Sequence, residues 1–304
     1  MNDILNKYYN LDVIGIIKVT NKLYRIKTKD NKYYGFKHLD DNNESIFAFL
    51  CMLNLHSFCI PIKNNVGTYI TKVNNDYFYL MNWYEEELIL AKEIKLKFYI
   101  EELTKLHSLS SYDTKINKGY FEEIFIELEK MIDEEENDIN VYLSLIEKKE
   151  YKSPSEWLFL MNNNIFLNSI NKSKEHLNNF KKLVKDMDTI RVSLNYINFD
   201  FSNILIKEKK ILGIEKMKSA PIVYDLKDLF DKSYNLSIDF IMYIKMYLKE
   251  FELMEYEKEW LLTMVYIPFI DNNKKNEIDN IMELSKIIYR INRSIDLEKI
   301  LFNK

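Results

Sequence analysis

Four polar side chains crowd one short stretch of the chain: Asn198, Asp200, Asn203 and Glu215. Between the third and the fourth, Ile204, Leu205 and Ile206 predict a short apolar strand, Glu208, Lys209 and Lys210 a tight turn, and residues 211–214 a return strand. Polar groups therefore stand at the entrance of a hairpin (Asn198, Asp200, Asn203) and at its exit (Glu215). A hairpin with oxygen ligands at both ends is one way to hold a divalent cation against phosphates. Magnesium takes few protein ligands and fills its other positions with water and phosphate oxygens. The wider stretch, 191–230, predicts a loop before the hairpin and a loop leading into a helix after it.

This stretch resembles the catalytic hairpin of the aminoglycoside phosphotransferase and choline kinase group, in the protein-kinase-like superfamily, and within it the CotS-type spore coat proteins. The pattern of that group is His-Gly-Asp, four residues, Asn, a strand, a turn, a strand, Ile-Asp, and later Pro-x-x-x-Asp-Leu. With Asn203-Ile-Leu-Ile as anchor, Tyr196, Ile197 and Asn198 stand where His-Gly-Asp belongs. Glu215 stands at the second metal-binding aspartate, and Pro221-Ile-Val-Tyr-Asp225-Leu226 matches the closing motif. The scaffold of the motif is present while its chemistry is edited.

The resemblance implies roles for these positions. In a working kinase of the group the aspartate of His-Gly-Asp accepts the proton of the attacking hydroxyl. Asn198 is nearly isosteric but neutral, so it can orient a hydroxyl without acting as base. Asp200, two residues on, reaches the same space only if the loop is rebuilt. Tyr196 in place of histidine removes the usual hydrogen-bond anchor of the loop. Asn203 and Glu215 are the implied metal ligands, with Glu215 one methylene longer than aspartate, and magnesium tolerates little geometric error. Two function classes stay open. One is a pseudokinase acting as a structural or assembly protein of the bacterial endospore coat, made in the mother-cell cytoplasm and partnered by other coat proteins, with no cofactor. The other is a divergent ATP-dependent small-molecule phosphotransferase that uses Asp200, Glu215, ATP and Mg²⁺.

The elements that must position these residues follow from periodicity. Residues 13–19, 22–29 and 32–39 alternate as three strands, with Asp30 and Asn31 as a turn. Lys37 on the third strand is placed as the lysine that neutralises the α- and β-phosphates of a nucleotide. A helix follows, capped by Asn42 or Asn43, with Ile46, Phe49, Leu50 and Leu53 at helical spacing. Glu44 in its first turn matches the glutamate that pairs with that lysine; as a bare residue it is a carboxylate favourable near a helix N-terminus. Strands 68–73 and 76–83 complete a five-stranded small lobe. The turn between the first two strands has no glycine, although phosphate cradles rely on close backbone N–H groups.

Helices at 94–109, 121–140 and 153–185 lead to the hairpin, and helices at 238–251, 257–266 and 275–292 follow it. The expected fold is α+β and two-lobed: an N-lobe over 1–82, a hinge at 83–86, and a helical C-lobe over 87–304. His107, ending the first of these helices, reads as a structural hydrogen bonder. The acidic run 133–136 reads as a solvated face, or as a cation-binding face for amines. A formal net charge of −4, with no basic face standing out, gives nucleic-acid binding no support. Cys51 and Cys59 are too few for a disulfide framework, and no bilayer-spanning run or signal peptide is evident. A cytoplasmic protein with no membrane insertion is expected.

Overall fold

In the computed structural model of the chain, residues 1–85, 92–233, 240–270 and 276–302 are described. The alternating segment at the amino end folds into strands β1 (Val13–Lys18), β2 (Leu23–Thr28) and β3 (Tyr33–Leu39), followed by helix α2 (Glu44–Met52). With β4 (Thr71–Val73) and β5 (Asp76–Asn82) they form a five-stranded sheet of order β1-β2-β3-β5-β4, whose pairs are antiparallel. Alternation put Ile26, Phe36 and Leu80 on one face, and all three are fully buried there. A short helix before β1, α1 (Asn2–Tyr9), covers that face with Leu5 and Tyr9 and ends at Asn10 in the left-handed conformation. It has no side-chain cap, so packing sustains these two turns.

The chain divides into two compact units, one of residues 1–110 and 196–218, the other of 111–195 and 219–304. The first unit holds the sheet, α1, α2, helix α3 (Lys92–Ser110) and a minimal hairpin, β8 (Ile204–Leu205) with β9 (Lys210–Ile211). Ile206 belongs to the turn, which Lys209 closes at φ 50°. The expected return strand stops at Ile211, because Gly213 turns left-handed at φ 71° and starts a 3₁₀ turn over Ile214–Lys216. The hairpin is fixed to the segment after α2: Ile211 N–H donates to Ser57 O at 2.8 Å and Cys59 N–H donates to Ile211 O at 2.9 Å.

The second unit contains α4 (Tyr120–Glu147), α5 (Pro154–Val184), α6 (Val223–Ser233), α7 (Phe240–Glu250), α8 (Glu255–Tyr266) and α9 (Glu277–Leu301). Its helices α4, α8 and α9 pack on α5, around stacked Phe180 and Trp260. α5 starts as the proline spacing requires: Ser153 and Glu156 form a reciprocal capping box with Pro154 just inside. A three-stranded sheet joins this unit, of order β10-β7-β6: β6 (Tyr112–Lys115), β7 (Thr189–Asn195) and β10 (Lys218–Ala220), the unit boundary falling inside β10. The loop expected at 191–195 is therefore a strand. Arg191 on it is held by both carboxylate oxygens of the fully buried Glu257. Of the expected hinge 83–86, Glu86 lies outside the described residues. Among the described residues no helix is long and apolar enough to cross a membrane.

Candidate functional site

Lys37 faces Tyr79 directly across the β3–β5 ladder, so the two side chains leave the sheet together. Both meet Glu215. The Lys37 ammonium lies 2.6 Å from Glu215 Oε1, and the Tyr79 hydroxyl donates to Oε2 at 3.3 Å. The 3₁₀ turn that carries Glu215 is fixed as well, because Asn43 Nδ2 donates to the Glu215 carbonyl at 2.5 Å. The pair is largely shielded, at 23% and 15% side-chain exposure. Burial, and then the Glu215 charge, push the Tyr79 hydroxyl well above the usual tyrosine range, so it stays a neutral donor.

Glu44 was the expected partner of Lys37, and its carboxylate is used elsewhere. Its two oxygens accept from the backbone N–H groups of Tyr69 and Ile70, at 2.9 and 2.8 Å. Those peptide groups precede β4 and take the carboxylate of the α2 first turn as their acceptor. Glu215, expected as a metal ligand, is the carboxylate at the lysine instead. Asn43 is the N-cap residue of α2, yet its side chain makes no cap bond and serves Glu215; Asn42 Oδ1 accepts from Glu44 N at 3.2 Å. Neither Tyr79 nor Asn43 was expected at the site from sequence. Strand register is the signal that places Tyr79 there.

Asn198 and Asn203 close on Gly213. Asn198 Nδ2 donates to Gly213 O at 3.1 Å, and Asn203 Nδ2 donates to Asn198 O at 3.3 Å. A Cβ on Gly213 would stand 2.5 Å from Asn198 Nδ2, so glycine is required both for this approach and for the positive φ. Tyr196 corrects another expectation. It does not remove the loop anchor but supplies one, since its buried hydroxyl donates to Leu212 O at 2.5 Å between the rings of Phe58 and Tyr99. Ile197, where the resembling motif has glycine, keeps a glycine-like backbone at φ 42°.

Asp200 does not take over the base position in this arrangement. It is exposed, and its Oδ1 caps the 3₁₀ turn Phe201–Asn203 by accepting from Ser202 N–H at 2.7 Å and Ser202 Oγ at 2.5 Å. The turn between β1 and β2 is also closed on itself. Val19 and Thr20 N–H donate to Leu23 O, while Lys22 and Leu23 N–H donate to Thr20 Oγ1. Asp225 is buried in the first turn of α6, in the other unit, and His107 is fully buried in α3. Among the described residues, no group of three or more His, Cys, Asp or Glu is arranged to hold a metal ion.

No protein-family model and no curated protein matches the sequence. Solved structures do. An aminoglycoside phosphotransferase from Alicyclobacillus acidocaldarius superposes with a TM-score of 0.61 at 10% identity, over 97% of this chain and 93% of that one. Spectinomycin phosphotransferase superposes with a TM-score of 0.56 at 11% identity in its AMP-bound complex, over 95% of this chain and 96% of that one. Its complex with ADP and spectinomycin gives 0.51 at 10% identity, over 97% of both chains. At such identities the likeness is one of architecture. The chain has the fold of the kinase-like phosphotransferases, with a small antiparallel-sheet lobe and a larger, mostly helical one.

Proposed function

We propose that this chain uses the kinase-like fold as a scaffold and transfers no phosphate: a pseudokinase with a structural or assembly role. The observation that carries the reading is the 2.6 Å pair between Lys37 and Glu215. The one strand lysine placed for nucleotide phosphates is neutralised by the residue placed for the metal. Asn198 has no carboxylate to act as base, and Asp200 is committed to Ser202. This donor set does not fit Mg²⁺-ATP as it stands, because both Glu215 oxygens are held and the β1–β2 turn uses the N–H groups of Val19, Thr20, Lys22 and Leu23 internally. The resemblance to CotS-type proteins carries the role to the endospore coat, with other coat proteins as partners.

A second reading, a divergent small-molecule phosphotransferase, rests on the phosphotransferase names of the similar structures and on the retention of Lys37, Asn203 and Asp225. A thermal-shift titration with ATP and Mg²⁺ separates the two. A ligand at a hundred times its dissociation constant adds about 2.7 kcal/mol. For a chain of this size that is several degrees, at roughly 2–4 °C per kcal/mol. No shift is expected at millimolar ATP. A magnesium-dependent shift sinks the pseudokinase reading.

A further inference from the structure

Helices α7 and α9 enclose a groove of about 600 Å³ whose floor is Ile241, Leu248 and Ile300 and whose rim carries Lys245, Lys249 and Lys299. The one carboxylate lining it, Asp296, is already bridged by Arg293 at 3.3 Å and Lys299 at 3.5 Å. Lys245 and Lys249 have no ion pair among the described residues. On a chain of net charge −4 this is a local excess of cations over an apolar floor. Such a groove fits an amphipathic helix with matching acidic and apolar positions.

The chain itself carries that helix. Along α4, Glu134, Asp138, Val141 and Leu145 follow at intervals of four, three and four residues, which puts them on one stripe, and all are exposed. Val141 and Leu145 expose 49% and 55% of their surface to solvent. Glu134 has only a loose, exposed pair with Lys130 on its own helix, at 3.8 Å, and such pairs hold little. Asp138 has no ion pair among the described residues. The spacings match: Glu134 and Asp138 are four residues apart, as are Lys245 and Lys249, about 6 Å along either helix. Laid antiparallel, Glu134 meets Lys249 and Asp138 meets Lys245, which brings Val141 over Ile241, with Leu145 about one turn past it.

Within one chain the two surfaces are held apart, since α4 packs on α5, α5 on α9, and α9 on α7. We infer that the α7–α9 groove receives the α4 stripe of a second copy, so that the chain self-assembles head to tail. An interface between two different surfaces does not close at two copies; it builds rings or open chains. The inference is about a surface remote in sequence from Lys37 and Glu215, and ATP turnover plays no part in its test.

Light scattering and sedimentation of the full chain against concentration provide that test. Wild type is expected to grow beyond dimers, and to need about tenfold more protein to do so when salt shortens the Debye length from roughly 15 Å to below 5 Å. E134K/D138K and K245E/K249E should each remain monomeric, because each turns one surface to the sign of the other. Mixed in equal amounts, the two variants present opposite surfaces again and should co-assemble. Their melting curves should match wild type, since all four residues are exposed. If a charge reversal fails to fold, Asp138→Asn and Lys245→Gln replace it, each expected to weaken assembly several-fold. A wild type that stays monomeric at high concentration, a closed dimer, assembly that survives both reversals, or a mixture that does not associate would each overturn the inference.

Discussion

The ammonium of Lys37 is 2.6 Å from Glu215 Oε1, while the other carboxylate oxygen accepts from Tyr79. The contact ties β3 to the turn that follows β9, residues 178 positions apart in the chain. Because the pair is shielded but not fully buried, removing one partner should cost less than for a fully buried pair, about 1–3 kcal/mol. A double-mutant cycle with Lys37→Met and Glu215→Gln should return a coupling of about 1–2 kcal/mol. Additive single effects in urea unfolding would show that the contact contributes nothing.

Glu44→Ala should destabilise the small lobe by about 2 kcal/mol, because two backbone N–H groups lose a charged acceptor. Glu44→Gln keeps one carbonyl oxygen and should lose about half as much. Denaturant midpoints for the two variants give the order. An unchanged midpoint for Glu44→Ala would mean that Tyr69 and Ile70 find other acceptors.

Ile197 holds φ 42°, a region that costs a residue with a Cβ about 1–2 kcal/mol and suits glycine. Ile197→Gly relieves that strain, loses some apolar contact from a half-buried side chain, and raises the entropy of the unfolded chain. The balance should be a gain of up to about 1 kcal/mol. Measured destabilisation would mean that packing of the isoleucine outweighs its backbone.

Gly213→Ala should act in the opposite direction. Its φ of 71° adds about 1–2 kcal/mol of strain, and the new Cβ must displace Asn198 Nδ2 from the Gly213 carbonyl. With that bond lost, a total near 2 kcal/mol is expected. Nearly neutral behaviour in thermal melts would show that the asparagine pair gives way freely.

Glu298 on α9 supplies the pH test. Burial acts to raise its pKa, but the Tyr266 hydroxyl bond and the nearby His176 and Lys172 outweigh it and hold the carboxyl below its ordinary 4.5. A folded-state pKa below the unfolded one gives stability that is present above pH 4.5 and lost as pH falls through the lower folded value. Tyr266→Phe removes one of the groups that lower it and should cost about 1.5–3 kcal/mol at neutral pH, where the carboxylate is charged. The gap to wild type should narrow as unfolding is measured from pH 6 down to about pH 3. A gap independent of pH would mean that Tyr266 acts through packing alone.

Strands β2 and β3 were legible because Ile26 and Phe36 turn one face into the core; β1 has no buried residue, and its β-branched Val13, Ile14, Ile16 and Ile17 are what mark it as a strand. β7 was not, because its last four residues are all buried and include Ser193 and Asn195. The amide nitrogen of Asn195 is answered by a tertiary bond to Ala220 O at 2.6 Å that leaves no periodic trace, while Ser193 Oγ is buried with no hydrogen-bond partner among the described residues. α1 is too short for a periodicity to stand out. At the site, Lys37 and the hairpin could be placed from local order alone. The lysine's partner could not, since Glu44 and Glu215 are both reasonable carboxylates and only the folded chain decides between them. Asp200 shows the converse: nearness in sequence to Asn198 did not bring its carboxylate into the same role.

The small unit also has a schedule. Its hairpin is bonded to Ser57 and Cys59, yet about a hundred residues of the other unit's chain and of the return path separate Ser110 from Lys218. A ribosome adding about 5–20 residues per second needs roughly 5–20 s to travel that distance. For that interval the sheet and α3 must wait without the strand that Ile211 lays against residues 57–59, and Lys37 waits without Glu215. A nascent chain stalled before residue 196 should expose Phe58 and Tyr99 to chaperones, whereas one stalled late enough for residue 218 to have left the exit tunnel should not. Shortening the chain to residues 1–110, a natural cut by eye, would leave an orphaned half and no small domain.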